Sequence, residues 1–238
     1  MTWHRIGHRG APRAFPGNTL RGFEHARALG CTMIECDVRQ TADGVLVLAH
    51  DPHVTSTRSA GKRYEVSRHS SATLRVLDLG AGEGVPTLTE LVAWAQACGD
   101  VGIMADMKIG GGDVEAGVVE ALAPLPASRK IVPGAGQESR RQFRALDPNL
   151  PLSLSLGADS ETRALLADDG LDRLLDNLDT EAVTWEHPLL TAARIAALHA
   201  RGLRVYAWTV DDLPTMRRLQ GDGVDGIISN RADLLQTL

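Results

Sequence analysis

Residues 33–52, MIECDVRQTADGVLVLAHDP, decide how the rest of the chain is read. Glu35 and Asp37 alternate with Ile34 and Cys36, so on a strand both carboxylates share one face and the apolar residues take the other. Asp43-Gly44 is a hairpin signal, and Val45-Leu46-Val47-Leu48-Ala49 after it reads as a second strand ending at His50-Asp51-Pro52. A two-residue turn at Asp43-Gly44 sets Asp37 opposite His50. Two carboxylates and an imidazole then converge, a set suited to a hard divalent cation beside a proton-transfer group. A surface hairpin with an acidic face is the plainer reading of this stretch alone, so the rest of the chain decides.

Outward from that stretch, apolar runs and helical segments alternate. Strand candidates lie at residues 3–7, 101–108, 130–133, 152–156, 182–185, 203–209 and 226–229. The first helix has Asn18 as its N-cap, Leu20, Phe23 and Leu29 on its apolar face, and Gly30 as its stop. Thr87-x-x-Glu90 is a capping box opening a helix that runs towards Gly99, and Gly110-Gly111-Gly112 breaks the chain before a helix near residues 114–123. Repeated βα units predict a parallel sheet covered by helices. Nine strand candidates are one more than a closed eight-stranded barrel needs. The link before Val45 is too short for a parallel crossover, so residues 45–49 should form an antiparallel arm. The expectation is an α/β fold, a (β/α)8 barrel with that hairpin arm and a small polar insertion at about residues 55–84, in one domain spanning 1–238. An open doubly wound sheet is the alternative, but no glycine fingerprint follows the first strand.

Composition agrees. The chain has 238 residues, 43% apolar but only 4% aromatic, which predicts an aliphatic core. A net charge of −5, from 25 basic and 30 acidic residues without a basic run, argues against nucleic acid as a partner. Three cysteines without framework spacing read as reduced thiols. No stretch reaches the roughly 18 apolar residues of a membrane span, and the N-terminal residues lack a signal-peptide core. A cytoplasmic protein without stable membrane insertion is expected.

In such a barrel the chemistry sits at the C-terminal strand ends. Those ends carry His8-Arg9, Glu35 and Asp37, Asp106 and Lys108, and Trp208-Thr209, with His50 joining through the hairpin. Each has an ordinary reading alone: a surface histidine, a salt-bridging arginine, a same-face ion pair, a core tryptophan. Together they place many ionisable groups on one rim, which is costly without partners. Three carboxylates, two histidines, an arginine and a lysine amount to an oxygen-ligand metal site beside an anion clamp. That set suits phosphodiester chemistry.

His8-Arg9-Gly10, Pro16-x-Asn18-Thr19, Glu35-x-Asp37, Thr41-x-Asp43-Gly44, His50-Asp51, Pro86-Thr87-Leu88-x-Glu90, Asp106-x-Lys108, Trp208-Thr209-Val210 and Asp225-Gly226-Ile227-Ile228 occur in this order. In these motifs, over residues 4 to about 231, the chain resembles the glycerophosphodiester phosphodiesterase family. The resemblance implies a TIM barrel that uses a divalent metal ion, Mg²⁺ or Ca²⁺, to hydrolyse glycerophosphodiesters to sn-glycerol 3-phosphate and an alcohol. Position by position, it makes Glu35, Asp37 and Asp106 metal ligands and His8 and His50 the acid/base pair. Arg9 and Lys108 would hold the phosphate and Trp208 would flank the glycerol, so the implied partner is a small-molecule glycerophosphodiester. The glycerol 2-hydroxyl would attack phosphorus first, giving a cyclic phosphate that water opens.

Several positions depart from the family pattern. Asp106 stands for a Glu, Gly17 for the Glu of P-E-N-T, Asp211 for the Asn of W-T-V-N, and Ser229-Asn230-Arg231 for Thr-Asp-Arg. The fifth strand, which usually ends in Ser-Phe, runs Pro133-Gly134-Ala135-Gly136-Gln137. None removes a group that performs the chemistry; they bear on the substrate. A lysophospholipase D-like or other phosphodiesterase on the same barrel, and a non-catalytic barrel that binds a phosphate compound, are the alternatives. The first predicts an exposed apolar rim, and the presence of both His8 and His50 speaks against the second.

Overall fold

Runs of Val, Ile and Leu between glycine or polar turns form the strands of the computed structural model, which describes residues 3–59, 61–167, 170–176 and 178–238. The strands are β1 His4–His8, β2 Met33–Gln40, β3 Leu46–Leu48, β4 His53–Thr55, β5 Arg63–Glu65, β6 Gly102–Met107, β7 Lys130–Ile131, β8 Ser153–Leu156, β9 Ala182–Glu186, β10 Arg204–Trp208 and β11 Gly226–Ser229. The helices are α1 Leu20–Ala28, α2 Ser71–Arg75, α3 Leu88–Cys98, α4 Val114–Leu122, α5 Gln137–Leu146, α6 Ser160–Ala167, α7 Gly170–Asp176, α8 Ala192–Ala200, α9 Leu213–Asp222 and α10 Ala232–Leu235. Among the described residues, no helix is long and apolar enough to cross a membrane.

Eight of these strands run in the order β7-β6-β2-β1-β11-β10-β9-β8, each pair parallel. A parallel bridge between Val132 and Leu152 joins the two ends and closes the ring. The fold is a (β/α)8 TIM barrel. β3 pairs antiparallel with β2 outside the ring, so the ninth strand candidate is the hairpin arm expected from its short connection.

Parity along the strands sorts the side chains. Ile34, Cys36 and Val38 face the helices, while Ile6, Met33, Met104, Ile131, Ala182, Tyr206 and Ile228 fill the barrel interior. Burying each large aliphatic of this plug is worth roughly 1.5–3 kcal/mol. Two residues further along β1, β2 and β6, on the same face, stand His8, Glu35 and Asp106, and Asn230 follows directly after β11. The interior is therefore apolar at its base and polar at its mouth.

Two expectations need correction. Thr19, not Asn18, caps α1, its Oγ1 accepting from Gly22 N. Asn18 has φ 60°, outside the extended region that an N-cap needs, and its side chain points elsewhere. The hairpin register is also one residue away: Val38 pairs with Leu48, and Ala49 N donates to Asp37 O, so Ala49 rather than His50 lies opposite Asp37. Thr41 and Val45 close a three-residue turn of Ala42, Asp43 and Gly44, with Gly44 left-handed at φ 81°. Asp-Gly serves that turn as readily as a two-residue one.

The insertion at about residues 55–84, of which residue 60 lies outside the described residues, is more than a polar excursion. β4 and β5 form a hairpin, and Val66, Leu74 and Leu77 pack with Val47, Ala49 and Val85 in a separate apolar cluster. Asp43 ties this insertion to the turn, accepting from Ser71 N and Oγ at 2.9 Å and from Thr41 Oγ1.

The hydrogen bond from the Thr41 hydroxyl, followed by the Ser71 amide, holds the Asp43 carboxyl down to about 2. Its folded value lies below the unfolded one, so its contribution is complete above about pH 4 and is lost as pH falls towards about 2. Asp43→Asn should melt at a lower temperature than the parent at pH 7, with the gap narrowing below about pH 4. Scanning calorimetry across this range checks it, and a gap independent of pH would refute the linkage.

Candidate active site

Strand register brings the sequence's isolated acids together. β1 and β2 pair His8 with Glu35, and β2 and β6 pair Asp37 with Asp106. Paired residues of parallel strands point to the same side, so His8, Glu35, Asp37 and Asp106 share the mouth of the barrel. One oxygen from each of Glu35, Asp37 and Asp106 lies within 4.8 Å of the others.

Asp37 is fully buried and held from three directions. Arg9 Nε stands 3.1 Å from Oδ2, Lys108 Nζ 3.1 Å from Oδ1, and Asn18 Nδ2 donates to Oδ2 at 2.8 Å. Asn18 Oδ1 also accepts from the Asp37 backbone N at 3.1 Å. Arg9 and Asn18 both adopt left-handed backbone, φ 53° and 60°, and are joined by Asn18 N donating to Arg9 O. Such angles cost non-glycine residues energy, and here they deliver two side chains to one carboxylate. Asn18 was legible only as a cap, so its hold on Asp37 is a new element of the site.

Charge in this cluster does not balance. Burial works against the charged form of Asp37, yet the charges of Lys108 and Arg9 with the Asn18 hydrogen bond outweigh it and hold its carboxyl below the usual value. Burial pushes Asp106 up despite its ion pair with Lys108. Glu35 goes well above its ordinary value, through burial first and then the charges of Asp37 and Asp106. It accepts from Arg9 N at 2.8 Å. Fully ionised, the three carboxyls would exceed Arg9 and Lys108 by one negative charge, and Glu35, pushed up, is where that excess is avoided. Asp37 Oδ1 is buried with the Lys108 ammonium, 3.1 Å away, as its neighbour. Three carboxylate oxygens within 4.8 Å of one another, outnumbering the cations beside them, fit a hard divalent cation.

His8 Nε2 lies 3.9 Å from Glu35 Oε2, and its Nδ1 is 2.7 Å from Asn230 Oδ1. Burial, and then the charge of Arg9, lower its pKa, so its ring is neutral near pH 7. His50 lines the same cavity of about 400 Å³ with Arg9, Lys108 and Trp208, although its register is not the one expected. Its side chain is 43% exposed against 16% for His8, and Nδ1 pairs with Asp51 at 2.9 Å. Trp208 donates Nε1 to Thr184 O at 3.2 Å and turns its ring to the cavity wall. All eight residues singled out in the sequence therefore meet at one mouth, Asp37 behind the wall and seven on it.

The departures from the family pattern now have surroundings. A Cβ on Gly134 would come 2.2 Å from Asp106 Oδ1 and 2.7 Å from Met107 O, so the glycine leaves room for the Asp106 carboxylate. A Cβ on Gly17 already meets Arg9 Cβ at 3.3 Å. Asp211 and Asn230 lie against each other, Asn230 Nδ2 donating to Asp211 Oδ2 at 2.7 Å; the amide and the acid of the family pattern have exchanged places.

The sequence model of the glycerophosphoryl diester phosphodiesterase family matches residues 8–133 and 136–234. A Mycobacterium tuberculosis protein named as a probable glycerophosphodiester phosphodiesterase is 32% identical over 97% of this chain and 88% of its own. Among solved structures, an Oleispira antarctica phosphodiesterase in complex with its product sn-glycerol-3-phosphate shares the fold with a TM-score of 0.83, 23% identity, and coverage of 99% of this chain and 96% of that one. A glycerophosphodiester phosphodiesterase from Agrobacterium tumefaciens gives 0.77, 23% identity and full coverage of both chains.

Asn18→Ala removes a donor and an acceptor from buried Asp37 and should cost about 1–3 kcal/mol in urea unfolding. Asn18→Gly, which accepts the same backbone angle, isolates the share of the side chain. A change of less than about 0.5 kcal/mol in both, the range of an ordinary surface substitution, would show that Asp37 does not depend on Asn18.

Proposed function

The chain belongs to the glycerophosphoryl diester phosphodiesterase family, and from that premise we propose that it hydrolyses glycerophosphodiesters to sn-glycerol 3-phosphate and an alcohol, with a divalent cation and two histidines. The observation that carries the reading is the convergence of Glu35, Asp37 and Asp106 with His8 and His50 around one cavity. The product held by the Oleispira antarctica enzyme supports the substrate class.

Glu35, Asp37 and Asp106 would hold the cation, Mg²⁺ or Ca²⁺. Bound there, it supplies positive charge against the phosphate oxygens and makes a nearby hydroxyl more acidic. Arg9 and Lys108 offer N–H donors to the phosphate from the same rim, and Trp208 presents an apolar wall to the glycerol carbons. One histidine takes the proton of the glycerol 2-hydroxyl as its oxygen attacks phosphorus. The other protonates the departing alcohol oxygen as its bond to phosphorus breaks. The roles then reverse: a proton is taken from water as it attacks the cyclic phosphate, and one is returned to the 2-oxygen. His8 suits the first step because burial keeps it neutral, with Nε2 near the acids. His50, exposed at the rim, suits exchange with the leaving group and solvent.

His8→Ala or His50→Ala should lower turnover by at least ~10², in the range of positioned acid/base groups, while the affinity for the cation measured by calorimetry is kept. The assay is release of sn-glycerol 3-phosphate from glycerophosphocholine, glycerophosphoethanolamine and glycerophosphoglycerol. EDTA should abolish it, and Mg²⁺ or Ca²⁺ restore it. Full activity in EDTA, or wild-type turnover in either variant, would count against the mechanism.

A further inference from the structure

Behind His8 runs a chain of hydrogen bonds that the mechanism above does not use. Asp211 lies past the end of β10, where its Oδ1 accepts from Ser229 Oγ at 2.9 Å and from Asn230 N at 2.8 Å. Its Oδ2 accepts from Asn230 Nδ2 at 2.7 Å, and Asn230 Oδ1 stands 2.7 Å from His8 Nδ1. An asparagine amide is ordinarily ambiguous between its two ends, but here chemistry settles it. An ionised carboxylate only accepts, so the nitrogen of Asn230 must face Asp211 and its oxygen must face His8. That oxygen has no proton to give. The proton in the 2.7 Å contact therefore belongs to His8 Nδ1.

We propose that Asp211 and Asn230 are positioning residues that lock His8 in the Nδ1–H tautomer, so that Nε2 alone takes or gives the catalytic proton. The proposal rests on the acid/base role assigned to His8. Nε2 is the nitrogen on the side of the acids, 3.9 Å from Glu35 Oε2. Asp211 stays ionised because hydrogen bonds from Asn230 and Ser229 outweigh the effect of burial and hold its carboxyl below the usual value. Asp211 thus orients an amide, and the amide orients an imidazole, with a neutral group and not a charge at Nδ1. A carboxylate at position 230 would instead touch the ring directly and favour its charged form.

The pair makes a reversal testable. In Asp211→Asn, the backbone N of Asn230 keeps its acceptor only if the new amide turns its nitrogen towards the Asn230 side chain. Asn230 must then flip and present its own nitrogen to His8 Nδ1, which moves the ring proton to Nε2. The double variant Asp211→Asn, Asn230→Asp exchanges donor and acceptor and returns the proton to Nδ1. Long-range proton–nitrogen spectra of protein labelled with ¹⁵N-histidine, with the His8 signals assigned against His8→Gln, read the tautomer directly. The wild type and, at a pH high enough to keep its ring neutral, the double variant should show the proton on Nδ1 alone, and Asp211→Asn the proton on Nε2. With the tautomer wrong, kcat in Asp211→Asn should fall by on the order of 10²–10⁴ while KM stays within about threefold, and the double variant should recover most of the loss at a pH where its His8 ring is neutral. A proton on Nε2 in the active wild type overturns the proposal alone. So does Asp211→Asn with an unchanged tautomer and kcat. Wild-type turnover in His8→Ala with Nδ1–H intact in the parent spectrum would instead overturn the role of His8, and the positioning role with it.

Discussion

A carboxylate without water around it needs donors and positive charge on every side, and Asp37 is that carboxylate. Its burial costs several kcal/mol unless it is paired, and its surroundings read as the means of pairing it. Arg9 and Asn18 take up left-handed backbone to reach it, and Lys108 spans from it to Asp106. The unusual local geometry of the β1–α1 loop is thus a consequence of where β2 puts one side chain. Once both cations of this cluster are committed to Asp37 and Asp106, Glu35 is left with a backbone donor and the flank of His8. Its ionisation lacks a cation of its own, and that is the place of the proposed metal.

The barrel interior performs two tasks on the same strands. Its base is an apolar plug of Ile6, Met33, Met104, Ile131, Tyr206 and Ile228, which supports the structure. Its mouth, two residues further on, carries the groups that need water-free surroundings but cannot be buried unpaired. A one-residue slip of β2 would put its acids against the helix layer and apolar side chains in the cavity. The outward face of β2, Ile34, Cys36 and Val38 in the main core, opposes that slip, so packing outside the barrel holds the chemistry inside it in register.

The fold was largely legible because it depends on local patterns. The alternation of Glu35 and Asp37 with apolar residues, the capping box at Thr87 and Glu90, and the short link before β3 each carry their meaning within a few residues. Where legibility failed, the deciding fact was either a choice between similar local forms or a distant contact. Asp43-Gly44 fits turns of two and three residues, and the sequence does not say which, hence the shift that puts Ala49 opposite Asp37. Asn18 has the composition of a cap, and only the fold reveals that Asp37 claims its side chain while Thr19 caps. Asp211 and Asn230 are separated by β11 and α9, and as single departures from a family pattern they carried no shared meaning until their contact was seen. The polar insertion hid its apolar cluster because half of that cluster comes from β3 and the segment beyond it.

The central claim is that Glu35, Asp37 and Asp106 share one divalent cation beside His8. Crystals soaked in Mn²⁺, which scatters anomalously, test it most directly. The account predicts one strong anomalous peak at the barrel mouth, at roughly 2.0–2.6 Å from an oxygen of each of the three carboxylates, as oxygen-ligated divalent ions require. A barrel mouth without a peak, or a peak bound by other residues while these three keep their present pairs, would contradict it.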